Sequence, residues 1–466
     1  MAAHSAALPP PPPPPPRALP RPPAGARPCP EAGPARPTPP PDPASSPPQG
    51  RAAAAAAQAG ARVPPRRRRR RAEGLRRTRP GARAGGLVAS LRMAAGGRAA
   101  PEPPPPPGGP GAGAEVFAYT PADFVRQGAA WAGGGGAPSP FDVALQRGWA
   151  DRVARGLFRY RLGELRTRLL PGPAGFVAQL NPRRGWDRRP PQEARSVRQP
   201  FDPRRFNFTR LRPGEVLFAL APRHRPRGPP PVLVAINVSP LEQGHVLLLP
   251  EPGRGLPQVL TAEALLAGLE ALLLSGRAAF RLGFNSLGAG ASVNHLHLHA
   301  YYLARELRVE TAPCRPLRPA AGLHLLHGVP APGLLFYCPA GGDGLEQLAR
   351  RVCRLTDHLA RHEVAHNLFA TRGAAPEGER RRGAAAAGAR PGVRVILWPR
   401  RVSFGAKDGA AFNVALCELA GHLPLKTAAD FEALTEDSAR RLIQAQLLPD
   451  DRFAQLQREL VALLEG

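Results

Sequence analysis

The sequence predicts an α+β fold, an antiparallel sheet with covering helices, built from a unit that recurs once in degenerate form. Three observations carry this. From about residue 141 onward, short apolar runs with strand character alternate with Gly, Pro and Asn turns. One run, Ala262–Leu274, has apolar residues at helical spacing and separates two such pairs of strands. An Asn-bearing strand followed by a strand ended by Pro occurs twice, at 232–250 and again at 365–399.

Taken in order, residues 142–169 read as helix and 175–180 as a strand closed by Asn181 and Pro182. The Arg-rich stretch 183–198 is a loop or arm. Short segments at 206–208 and 215–218 precede a buried strand at 232–237. The chain then turns through Val238 to His245 into a second strand, Val246–Leu249, ended by Pro250. After the covering helix come strands at 280–286 and 294–302, so the middle third reads hairpin, helix, strand, strand. In the last third, strands at 365–371 and 393–400 flank the low-complexity segment 373–392. They are read as a second copy that kept the sheet and lost its chemistry.

Charge does not point to nucleic acid. The chain has 466 residues and a net charge of +29, yet its only Lys residues are Lys407 and Lys426. Abundant Ala, Gly, Pro and Arg with scarce Lys, Met, Ile, Tyr and Asn is a pattern of GC-rich coding. Residues 1–100 hold eighteen Arg against Glu31, Asp42 and Glu73, about half of the imbalance. With its Pro, Ala and Arg runs, 1–140 is expected to be a disordered leader and linker, and 141–466 the folded core. Met93 offers an alternative start. No apolar stretch reaches the roughly 18 residues of a membrane span, and no signal peptide is visible. Cys29, Cys314, Cys338, Cys353 and Cys417 form no CxxC pair, which suits reduced thiols and a cytoplasmic location.

The chemistry concentrates in Asn294-His295-Leu296-His297-Leu298-His299-Ala300-Tyr301-Tyr302. In a strand, period two puts the three imidazoles on one face while Leu296, Leu298 and Ala300 pack into the core. Imidazole serves as nucleophile, acid, base or metal ligand. The preceding stretch rich in small residues, Gly283-Phe284-Asn285-Ser286-Leu287-Gly288-Ala289-Gly290-Ala291-Ser292, suits an anionic oxygen held by backbone N–H groups. A zinc site is the competing reading for His-x-His on a strand, but it needs a further ligand from elsewhere, so no metal is expected. His324, His327, His358 and His422 read as ordinary polar residues. Lys407 and the arm 183–198 carry no assigned role.

These residues resemble the histidine-triad superfamily, whose mark is alternating His and apolar residues on a strand. Asn237, Pro240, Gly244 and His245 resemble the family's upstream hairpin, where an Asn contacts the nucleotide ribose. Arg212-Pro-Gly-Glu-Val-Leu-Phe, Ile236-Asn-Val-Ser-Pro-Leu-Glu, Phe284-Asn-Ser-Leu-Gly and Ser292-Val-Asn-His-Leu-His-Leu-His are similar to the GDP-hexose phosphorylases of animals and plants. In the plant enzymes the third His is Gln.

The resemblance implies a histidine-triad-like fold from about residue 140 to the C-terminus. It also implies a nucleotidyltransferase that converts GDP-glucose and inorganic phosphate into GDP and glucose 1-phosphate, without a cofactor. His297 would attack the α-phosphorus to give a guanylylated histidine, and phosphate would discharge it. His295 and His299 flank the nucleophile as donors, with a neighbouring carbonyl fixing the His297 tautomer. Asn237, Asn285, Ser292 and His245 complete the expected substrate site. A homodimer is common in the superfamily, although a duplication within one chain can mimic it. Two other readings remain open at the level of sequence: a nucleoside-phosphate hydrolase of the same superfamily, and a guanine-nucleotide-binding regulator without turnover.

Overall fold

A computed structural model describes residues 111–126, 137–225, 231–340, 344–377, 390–405 and 410–465. The leader 1–100, most of the low-complexity segment 373–392, and Lys407 lie outside the described residues.

Eleven strands form one sheet: β1 Val116–Tyr119, β4 Val216–Pro222, β5 Val232–Ile236, β6 Val246–Leu249, β7 Phe280–Asn285, β8 Leu298–Tyr302, β9 Cys314–Arg318, β10 Leu323–Leu326, β11 Gly333–Pro339, β12 Ala365–Gly373 and β13 Gly392–Arg400. Their spatial order is β1-β4-β5-β6-β8-β7-β12-β13-β11-β10-β9. Every neighbouring pair is antiparallel except β1 with β4. A second, three-stranded sheet joins β2 Thr167–Leu169, β3 Val177–Leu180 and β14 His422–Leu425.

The repeat is visible in the topology. Strands β4 to β6, helix α3 Ala262–Leu274, then β7 and β8 form one unit. Strands β9 to β11, helix α4 Leu345–Arg361, then β12 and β13 repeat it, and the two units meet where β7 pairs with β12. The expected register of the repeat is corrected here: strands 365–373 and 392–400 correspond to β7 and β8, not to β5 and β6. Pairing of β7 with β12 is centred on Gly283 and Phe369. Gly283 faces His299 and Phe369 faces Ile396, so Arg394 and Ile396 stand where the first unit has His297 and His299. The corresponding strand of the second unit is kept without imidazoles at these positions. Because both units lie in one chain, a homodimer is not needed to complete the sheet.

Other expectations need correcting. The helix read over 142–169 is α1 Pro140–Ala154, capped by Ser139 and ended before Gly156, whose φ of +68° no helix accommodates. The linker reading fails over 111–126, because β1 adds a parallel edge strand beside β4. Asn181 and Pro182 do not merely close β3; they start a short helix, α2 Pro182–Asp187, with the Asn181 side chain accepting from the Arg184 amide. The remaining helices are α5 Leu416–Ala420, α6 Ala428–Ala433, α7 Glu436–Gln444 and α8 Asp450–Leu463.

Alternation assigns the two faces. Leu296, Leu298, Ala300 and Tyr302 pack with α1, α3 and α4 into the larger core. The opposite face, carrying Tyr301 and the apolar floor Val216, Ala235 and Leu247, is left for the loops that build the site. The turn into β6 depends on Gly244: its φ is +67°, and a Cβ there would lie 2.6 Å from the Tyr302 ring. That ring is held by its hydroxyl, which donates to buried Asp142 at 2.7 Å. Gly244→Ala is therefore expected to destabilise the protein by about 2–4 kcal/mol, combining backbone strain with overpacking. A denaturant midpoint unchanged from wild type would contradict this. No helix among the described residues is long and apolar enough to cross a membrane, and the four described cysteines are buried.

Candidate active site

The His motif spans a strand and its approach. Only His299 sits in the ladder of β8; His295 and His297 lie in irregular backbone before it. The expected continuous strand from 294 is thus shortened, because Asn294 is diverted to hold the arm: its side chain donates to the Gln199 and Pro200 carbonyls and accepts from the Gln258 amide. Gln258 in turn pins the motif, its side chain accepting from the His297 amide and donating to the His297 carbonyl.

Hydrogen bonds assign a tautomer to each ring. His297 Nδ1 lies 2.8 Å from the His295 carbonyl, which can only accept, so Nδ1 carries the proton and Nε2 keeps a lone pair. This is the tautomer control expected from the sequence. Leu241 N–H donates to His245 Nδ1 at 2.8 Å, so the His245 proton sits on Nε2, which donates to His299 Nδ1 at 3.1 Å. His299 is thereby left with Nε2–H, a donor. Phe208 N–H donates to His295 Nδ1 at 2.9 Å, with the same consequence for that ring. Of the three imidazoles, the middle one alone offers a free lone pair.

Burial keeps these rings neutral. His297 is pushed down to about 4, chiefly by desolvation and further by the Arg188 charge, against the opposing hydrogen bond to the His295 carbonyl. His295 is also pushed down to about 4 by burial and by His297, with the Pro252 carbonyl opposing. Burial holds His245 and His299 well below the usual imidazole range. The protonated ring is the unreactive form, so chemistry at His297 should persist as pH falls through 6.5 and fail only near 4. Single-turnover release of the leaving group, measured without phosphate so that the acceptor's own titration does not enter, checks this. An acid limb centred near 6.5 would contradict it.

Two cavities meet at His299, Arg184, Arg188 and Arg189. One, of about 390 Å3, is lined by His297, Asn237, Ser292, Phe206 and Phe208 among others. The other, of about 470 Å3, is lined by Asn285, Gly288, Gly290, Ala291, Asn413 and Lys426 among others. Expected site residues thus divide. His297, His299, Asn237 and Ser292 line the first cavity and Asn285 the second. Asn285 Oδ1 is taken by Asn367 and the Leu416 amide, so its NH2 is what it can offer a ligand.

Two assignments change. His245 is fully buried and lines neither cavity; it positions His299 rather than touching substrate. His295 also lines neither cavity and is packed between Phe201 and Phe208, so its role is to hold His297 through its carbonyl. In the small-residue loop, the Ala289 and Ala291 amides are both taken by the Ser286 carbonyl, which narrows the expected backbone cradle.

The unassigned arm closes over the site. Arg184 donates to the Ser239 carbonyl. Arg188 lines both cavities and makes no hydrogen bond or ion pair among the described residues. Burial and its neighbour Arg184 push the Arg188 guanidinium down to about 10, so it stays charged at neutral pH. A half-buried cation with no ion-paired carboxylate among the described residues, beside an imidazole with a free lone pair, is matched to phosphate.

Two repeated units sharing one sheet, with alternating imidazoles set against a cationic cavity, define a histidine-triad protein. The chain belongs to the GDPGP1-like family: residues 140–301 match its N-terminal domain and 308–466 its C-terminal domain. The boundary falls between β8 and β9, where one unit passes to the next. GDP-D-glucose phosphorylase 1 of Homo sapiens is 57% identical over 360 residues, covering 75% of this chain and 91% of that protein. GDP-L-galactose phosphorylase 2 of Arabidopsis thaliana is 33% identical over 334 residues, covering 66% and 73%. Among solved structures, yeast Ap4A phosphorylase Apa2 with Ap4A superposes at a TM-score of 0.45 with 13% identity, over 67% of this chain and 98% of that one.

Proposed function

We propose that the chain is a cytoplasmic GDP-hexose phosphorylase that converts GDP-glucose and phosphate into GDP and glucose 1-phosphate through a guanylylated His297. The observation that carries this is the pairing of a single free imidazole lone pair on His297 with a donor N–H on His299 beside Arg188, which has no ion-pair partner among the described residues. The relatives named for GDP-D-glucose support the choice of substrate.

In the first step His297 Nε2 attacks the α-phosphorus, the bond to the bridging oxygen breaks, and glucose 1-phosphate departs. The charge gained by the ring is shared with the His295 carbonyl through Nδ1–H. In the second step a phosphate oxygen attacks the same phosphorus, the P–N bond breaks, and GDP leaves with the imidazole restored. One phosphoanhydride is exchanged for another, so the protein's work is positioning and stabilising charge on the equatorial oxygens. His299, Arg188 and the Asn285 amide supply donors for those oxygens. The smaller cavity takes the guanosine, with Asn237 at the ribose and Ser292 near the phosphates. The larger takes the hexose phosphate and then the acceptor phosphate, with Lys426 available to it.

Isotope exchange tests the two-step route. Labelled glucose 1-phosphate should enter GDP-glucose in the absence of inorganic phosphate, at a rate comparable to turnover. Substrate consumption without exchange would favour direct transfer or hydrolysis.

A further inference from the structure

We propose that Glu215 reads the guanine base of the donor nucleotide, an assignment that rests on the activity proposed above and names its specificity residue. Across the sheet, His299 of β8 pairs with Leu247 of β6, Leu247 with Ala235 of β5, and Ala235 with Val216 of β4. Glu215 immediately precedes Val216, so it stands three strands from the reacting phosphorus, roughly 14 Å by strand spacing. That is the reach of an extended nucleoside monophosphate. Val216, Ala235 and Leu247 form the apolar floor between the two ends, and Asn237 stands midway.

Glu215 is the sole carboxylate among the described residues lining this cavity. It is 7% exposed; its Oε1 accepts from Arg212 at 2.7 Å, and no hydrogen bond occupies Oε2 among the described residues. A buried carboxylate oxygen open to a cavity is costly unless a ligand donates to it. Guanine does so with adjacent N1–H and N2–H2 groups. Adenine places an acceptor lone pair at N1, which a carboxylate repels, so one side chain attracts guanine and rejects adenine. Arg210 and Arg212 line the same end and can donate to guanine O6 and N7, a pairing adenine cannot match at its 6-amino group.

The test compares GDP-glucose, IDP-glucose, which lacks the 2-amino group, and ADP-glucose on the full chain and on Glu215→Gln. Wild type should lose about ten- to hundredfold in kcat/KM from GDP-glucose to IDP-glucose, the cost of one hydrogen bond to a charged group, and more with ADP-glucose. Glu215→Gln should lower kcat/KM for GDP-glucose by about 10²-fold while leaving ADP-glucose unchanged or improved. Equal use of GDP- and IDP-glucose by wild type would overturn the assignment, and needs no variant to fold. So would a proportional fall with both GDP- and ADP-glucose in Glu215→Gln. If wild type does not turn over GDP-glucose at all, the proposed activity itself fails, and that outcome is distinct from the other two.

Discussion

His297→Ala is expected to lower kcat for GDP-glucose phosphorolysis by about 10⁴-fold or more, the scale on which loss of a covalent nucleophile is felt. The geometry gives the reason. Among the triad, His297 alone presents an unprotonated nitrogen to the cavity, because its Nδ1 proton is committed to the His295 carbonyl. The neighbours cannot substitute: His299 is held with its proton on Nε2 by His245, and His295 is turned away between phenylalanine rings. The alanine variant should still bind GDP-glucose within a few-fold of wild type, because the nucleoside walls and Arg188 remain. Steady-state kinetics and equilibrium titration separate the two effects. Unchanged turnover would refute the mechanism, and loss of binding in step with turnover would make His297 a binding residue.

Arg188→Met should cost about 10³-fold in kcat/KM, comparable to removing a charged donor from a phosphoryl-transfer site. Methionine keeps much of the apolar stem, so packing of the arm is largely retained. The lost quantity is a guanidinium that lies at the junction of both cavities and has no carboxylate in ion-pair contact among the described residues. The same substitution should raise the acid limb of His297, since the Arg188 charge is among the causes holding that ring down. A combined loss of rate and upward shift of the acid limb identifies the charge as the cause. A loss of rate with melting temperature, and no shift of the limb, would identify misfolding of the arm.

The sequence reveals most of the first unit and little of how the second relates to it. Helix α3 falls on the predicted span Ala262–Leu274, and β5 and β6 match within a residue, because each is a clean apolar run, the strands near Gly, Pro or Asn and the helix between Thr261 and Ser275. Strand β1 is missed because four residues between Pro/Gly-rich segments carry no periodicity, and only pairing with β4 makes them a strand. The repeat is recognised but set out of register, since an Asn and a terminal Pro are weaker markers than strand order. In the site, alternation alone shows three imidazoles on one face; the role of His297 and the control of its tautomer enter only through the family resemblance. Arg188 and Glu215 are not legible, because many Arg and Glu residues look alike in sequence and only the fold, which brings the arm and the start of β4 to one cavity, selects these two. His245 is found but misassigned, as spacing does not distinguish touching a substrate from touching its neighbour.

The central claim is covalent, and intact-mass spectrometry tests it most directly. The purified chain is incubated briefly with GDP-glucose in phosphate-free buffer beside His297→Ala. The account predicts a gain of one guanylyl group on wild type, absent from the variant, and its discharge as GDP when phosphate is added. Sugar nucleotide consumed with no adduct at any time down to a single turnover, or an adduct of equal extent on the variant, would contradict it.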